Sequence, residues 1–93
     1  MAGLLNESEI REGLNGLSGW QREGKKIVCT RVFKDFIEAI EFINWLVEPA
    51  EAAGHHPDLA ISYNRVTIAL TTHDSGGLTH KDFELAQIIS QLN

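Results

Sequence analysis

In Leu59-Ala60-Ile61-Ser62-Tyr63-Asn64-Arg65-Val66-Thr67-Ile68-Ala69-Leu70-Thr71, β-branched and large apolar side chains recur at every second position on both sides of Asn64-Arg65. Alternation of that kind is the signature of a half-buried strand. Leu59, Ile61 and Tyr63 fall on one face of the first run, and Val66, Ile68 and Leu70 on one face of the second. Asn64 tolerates a positive φ, so the stretch predicts a hairpin of strands over Leu59–Tyr63 and Val66–Thr71. Upstream, Trp20–Arg22 and Ile27–Phe33 flank Glu23–Lys26, which contains Gly24, and predict a second hairpin.

Helices fill the spaces around the hairpins. Asn6 and Glu9 have capping-box spacing, Leu5 and Ile10 suit a hydrophobic staple, and Gly16 and Gly19 end the segment. Asp35 with Glu38 starts a second helix. Thr79 with Asp82 starts a third, with Leu78 and Phe83 as its staple pair. The second helix is the most apolar. Phe36, Ile37, Ala39, Ile40, Phe42, Ile43, Leu46, Val47 and Ala50 cover about 220° of a helical wheel, against a usual stripe of about 100°. Such a face is expected to contact both its own sheet and another chain. Pro49 predicts a kink or restart in this helix, and Gly54 its end. The order helix, two strands, helix, two strands, helix gives an α+β fold: a four-stranded antiparallel sheet with three helices on one face.

The chain of 93 residues is long enough for a single domain over 1–93. Its 13 acidic and 8 basic residues give a formal net charge of −5, unfavourable for nucleic acid or an anionic membrane surface. No apolar run approaches the roughly 20 residues needed to cross a bilayer, and Met1–Gly16 lacks the pattern of a signal peptide. Cys29 is the only cysteine, which fits a reducing compartment. A cytoplasmic location is therefore expected.

Chemistry concentrates at two junctions. His55, His56 and Pro57 follow the helix stop at Gly54, and Thr71, Thr72, His73 and Asp74 follow the last strand. Pro57 biases His56 toward extended backbone, so His55 and His56 are expected to point apart. Glu51, one turn before His55, could orient it or hold its charge. Ser75-Gly76-Gly77 reads as a flexible loop. Strand ends and adjoining loops are where a rigid scaffold presents functional groups. Three imidazoles also suit a zinc site, but opposed neighbours and a distant Cys29 argue against one. His80, at the start of the third helix, is expected to be a surface residue.

Glu51-Ala52-Ala53-Gly54-His55-His56-Pro57-Asp58, Tyr63-Asn64-Arg65-Val66, Thr71-Thr72-His73-Asp74 and Gly77-Leu78-Thr79 together resemble the signature of the pterin-4a-carbinolamine dehydratases. Gly19-Trp20, Phe33-Lys34-Asp35-Phe36 and Asp82 are similar to that family too, so the resemblance spans about Leu5 to Leu92. It implies conversion of a 4a-hydroxytetrahydropterin to quinonoid dihydropterin and water, in tetrahydrobiopterin recycling, with neither metal nor organic cofactor. It implies that His55, His56 and His73 are catalytic. Gly54, Thr71, Thr72 and Asp74 would join them in binding the pterin, with Glu51, Pro57 and Asp82 in support. Histidine suits proton transfer in either direction near neutrality. The resemblance also implies a homotetramer. The alternative is a protein-binding module for a dimeric transcription factor or an aromatic amino acid hydroxylase, served by the apolar face of Phe36–Ala50.

Overall fold

The computed structural model describes residues 3–92; Met1, Ala2 and Asn93, the ends of the domain expected over 1–93, lie outside the described residues. The elements are α1 (Glu7–Asn15), β1 (Trp20–Glu23), β2 (Lys26–Val32), α2 (Phe36–Ala53), β3 (Asp58–Ser62), β4 (Arg65–Leu70), a 3-10 turn (His73–Ser75) and α3 (His80–Ser90). All strand pairs are antiparallel, in the order β1-β2-β4-β3. The expected fold is the one found, and strand ends differ from expectation by about a residue.

Register explains which face is covered. Trp20, Cys29, Ile68 and Leu59 lie side by side across the four strands, as do Ile27 with Leu70 and Val66 with Ile61. Directly paired side chains share a face. Trp20, Ile27, Cys29, Val66, Ile68 and Leu70 are buried together with Ile10 of α1, Ala39, Phe42 and Leu46 of α2, and Leu85, Ala86 and Ile89 of α3. All three helices therefore cover one face. β3 is one of the two edge strands, and its Leu59 and Ile61, at 41% and 40% exposure, are only half covered.

The ends of the helices follow the capping residues. Asn6 and Glu9 close a reciprocal box on α1, and Thr79 and Asp82 close one on α3. At α2 only half of the exchange forms. The Asp35 side chain accepts from the Glu38 N–H, while the Glu38 carboxylate accepts from Lys34 rather than Asp35.

Three local expectations are corrected. First, of the kink or restart expected at Pro49, the restart does not occur: α2 is one helix from Phe36 to Ala53. Proline cannot donate to the Trp45 carbonyl, but Phe42 and Leu46 before it and Ala50 after it are buried on one continuous stripe, so packing carries the helix across. Second, Tyr63 rather than Asn64 takes the positive φ, at 52°. Asn64 is held by Phe33, whose N–H donates to the Asn64 carbonyl while Asn64 Nδ2 donates to the Phe33 carbonyl. Third, Ser75-Gly76-Gly77 is a hydrogen-bonded turn. Ser75 and Gly76 donate to the Thr72 carbonyl, Gly76 takes φ 78°, and Thr72 pairs with Gly77 as an isolated bridge.

Candidate active site

Gly54 sets the site. It ends α2 in the left-handed region, at φ 61° and ψ 31°, with its N–H on the Ala50 and Glu51 carbonyls. The chain then reverses, and the two following histidines diverge. His55 turns inward, to a buried position where its Nε2 lies 2.6 Å from Asp82 Oδ1. His56 turns outward, and its Nε2 lies 2.5 Å from Glu51 Oε2. Glu51 thus serves His56 and not His55, a correction that follows from the turn at Gly54.

The end of β4 supplies the facing wall. Thr72 is buried and its hydroxyl donates to Asp82 Oδ2 at 2.9 Å. Thr71 donates its hydroxyl to the Lys25 carbonyl at 2.6 Å, which ties the wall to the β1–β2 turn. His73, on the 3-10 turn, is exposed and stands 3.9 Å from Asp58 at the start of β3.

Gly54, His55, His56, Thr71, Thr72, His73 and Asp74 line one cleft of about 210 Å³, with Lys81 as the eighth lining residue. Every residue expected to bind substrate is therefore on one cleft. Of the three supporting residues, Glu51 and Asp82 each hold one of its histidines, and Pro57 lines an adjoining apolar groove with His56. His80 is exposed and is not among the residues lining the cleft.

Sequence reasoning missed three contributors. Lys81 lines the cleft without any local pattern to flag it, and Asp58, part of the resemblance but given no role there, stands beside His73, 15 positions on. Thr79 is assigned by sequence to the cap of α3 and to the family resemblance, with no role at the cleft. Its hydroxyl also lies 2.7 Å from that of Thr72, inside the buried cluster around Asp82.

Each imidazole of the cleft has its own carboxylate, in two different settings. The His55–Asp82 pair is enclosed, with side-chain exposures of 10% and 0%. The His56–Glu51 and His73–Asp58 pairs face solvent. Such a cleft can give and take protons at several points around a small bound molecule. It contains no thiol: Cys29 is a core residue whose pKa burial pushes up, an effect only partly offset by Arg31. Among the described residues no three His, Cys, Asp or Glu side chains are grouped to hold a metal ion, and no helix is long and apolar enough to cross a membrane.

The family model for pterin 4 alpha carbinolamine dehydratase matches residues 3–92. A protein of Trichormus variabilis that carries the pterin-4-alpha-carbinolamine dehydratase name is 63% identical over 93 residues, covering 100% of both chains. The crystal structure of a transcriptional coactivator/pterin dehydratase from Brucella melitensis superposes with a TM-score of 0.87 at 38% identity, over 91% of this chain and 93% of that one. The chain belongs to the pterin 4 alpha carbinolamine dehydratase family. The fold alone is shared with a pterin dehydratase-like protein identified as a RuBisCO assembly factor in the alpha-carboxysome, at 20% identity and TM-score 0.65 over 77% of this chain and 86% of that one.

Proposed function

We propose that this chain acts as a single cytoplasmic dehydratase domain that converts a 4a-hydroxytetrahydropterin to quinonoid dihydropterin and water, and that the cleft between Gly54 and Lys81 is its active site. Two proton movements make up the reaction. A proton reaches the leaving hydroxyl as the C4a–O bond breaks, and a proton leaves the neighbouring ring nitrogen, whose electron pair closes the new C=N bond. Donor and acceptor exchange one proton each, so the product is the dehydrated pterin plus one water, with no redox partner.

The observation that carries this reading is the convergence of His55, His56 and His73, each with its own carboxylate, on one small cleft. A carboxylate beside an imidazole orients the ring and stabilises its charged form while a proton is in transit. Gly54, Thr71, Thr72 and Asp74 line the same cleft as the three histidines and are available to hold the pterin. The reading places the enzyme in tetrahydrobiopterin recycling, downstream of a reaction that leaves a hydroxyl on C4a. The test is turnover of a freshly generated 4a-hydroxytetrahydropterin, followed by the absorbance of the quinonoid product. A rate in the presence of the protein that does not exceed the uncatalysed rate would overturn it.

A second property has its own support. Phe36, Ile37 and Val47 of α2 are 50%, 69% and 57% exposed and fall within about 100° of one another on the helical wheel. Exposed apolar residues sharing one side of a helix are of the kind that marks an association surface. We propose that this face joins copies of the chain into a homo-oligomer, a tetramer by the family resemblance. Recognition of a partner protein such as a transcription factor or hydroxylase is the competing use of the same face.

A further inference from the structure

The buried cluster behind His55 contains a chain of hydrogen bonds whose direction can be worked out from valence alone. Asp82 Oδ2 lies 2.9 Å from the Thr79 backbone nitrogen and 2.9 Å from Thr72 Oγ1. A backbone N–H only donates and a carboxylate oxygen only accepts, so Thr72 donates its single hydroxyl proton to Asp82. Thr72 Oγ1 is also 2.7 Å from Thr79 Oγ1. With its own proton committed, Thr72 accepts there and Thr79 donates. Thr79 Oγ1 in turn accepts from the Lys81 N–H at the first turn of α3. The chain therefore runs one way, from the α3 backbone through Thr79 and Thr72 into Asp82.

The other oxygen of Asp82 meets His55 Nε2 at 2.6 Å. Since Asp82 is used as an acceptor throughout, His55 donates from Nε2, and Nδ1 is its remaining ring nitrogen. We propose that Thr72 and Thr79 are positioning residues: through Asp82 they hold His55 in the Nε2–H form, so that Nδ1 is the lone-pair nitrogen His55 brings to the cleft. The helix cap and the histidine orientation are one device. Asp82 is completely buried, and no buried polar side-chain atom among the described residues lacks a partner, so the alternative tautomer would set two donors or two acceptors face to face. That the orientation matters for turnover rests on the dehydratase reading; that the tautomer is fixed does not.

The experiment is long-range ¹H–¹⁵N NMR of the histidine rings in the full chain, from about pH 5 to 9, the range in which an unperturbed imidazole titrates. The wild-type His55 neutral form is expected to be Nε2–H. In Asp82→Asn the amide oxygen must face the Thr72 and Thr79 donors, which turns the NH₂ toward His55 and inverts its tautomer to Nδ1–H. Where the pterin is turned over, kcat of Asp82→Asn should fall by roughly 10² or more, within the range a positioned acid–base group supplies, with KM little changed. Thr72→Val should lower kcat as well, and Thr72→Ser, which restores the hydroxyl, should recover it. A wild-type His55 protonated on Nδ1, or an unchanged tautomer in folded Asp82→Asn, overturns the proposal. A wild type with the expected tautomer but no turnover upholds it and refutes the dehydratase reading instead.

Discussion

Replacing Gly13 with alanine sets two effects of opposite sign against each other, and the geometry says which prevails. Gly13 is inside α1, where alanine is favoured over glycine by about 0.8–1.0 kcal/mol. A Cβ at Gly13, however, would lie 2.6 Å from Phe83 Cε1, 2.7 Å from Cδ1 and 3.1 Å from Cζ. Carbon contacts are comfortable at about 3.5–4.0 Å, so the ring must retreat by about 1 Å. Phe83 is half-buried against the core and follows Asp82 on α3, so it has little room to retreat without disturbing the start of that helix. Overpacking of this size costs about 1–3 kcal/mol. Gly13→Ala should therefore destabilise the protein by about 1 kcal/mol, lowering Tm by roughly 4–8 °C. The decisive assay is a double-mutant cycle by thermal or urea unfolding. With Phe83→Ala the obstruction is gone, and the same Gly13→Ala change should become stabilising by about 1 kcal/mol. Equal effects in both backgrounds would refute the reasoning.

Further outcomes follow from which side chains are buried and which are exposed. Burial raises the Cys29 thiol above its ordinary value of 9.0, so its reaction with a thiol reagent at mildly alkaline pH should be slow in the folded protein and fast after denaturation. Because the folded value is the higher one, this group's contribution to stability is complete below about pH 9 and declines as pH rises further; a thiol as reactive as free cysteine would contradict the burial. Light scattering at micromolar concentration should give a mass several times that of one chain, and Val47→Glu, on the exposed side of α2, should reduce it without unfolding the protein. A strict monomer would refute self-association through α2.

What the sequence made legible is what neighbours in the chain decide. Asn6 with Glu9 and Thr79 with Asp82 are three residues apart, and strand alternation is readable within six, so helix starts and both hairpins emerge directly. The same locality explains the misassignments. Asn64 was the natural left-handed residue by type, but its side chain is committed to Phe33, 31 positions away. Glu51 sits one turn from His55, yet the left-handed backbone at Gly54 swings His55 toward Asp82, 27 positions on, and leaves Glu51 to His56. Residues of the cleft could be named through the family resemblance. The pairing of His55 with Asp82 depends on the packing of α3 against the end of β4, and that of His73 with Asp58 on bringing the end of β4 beside the start of β3, which no spacing encodes.

The claim most open to direct test is that the cleft histidines, and not imidazoles in general, perform the dehydration. The measurement is kcat for 4a-hydroxytetrahydropterin in His55→Ala, His56→Ala, His73→Ala and His80→Ala, each checked for folding by circular dichroism. Loss of one positioned acid–base group removes about 10²–10⁴ in rate, equivalent to about 3–5 kcal/mol of barrier. His56→Ala and His73→Ala should fall by that factor and His55→Ala should also lose turnover, while His80→Ala, exposed and outside the cleft lining, should stay close to the wild type. Four variants with equal rates, or a His80 variant as damaged as His56→Ala, would contradict the account.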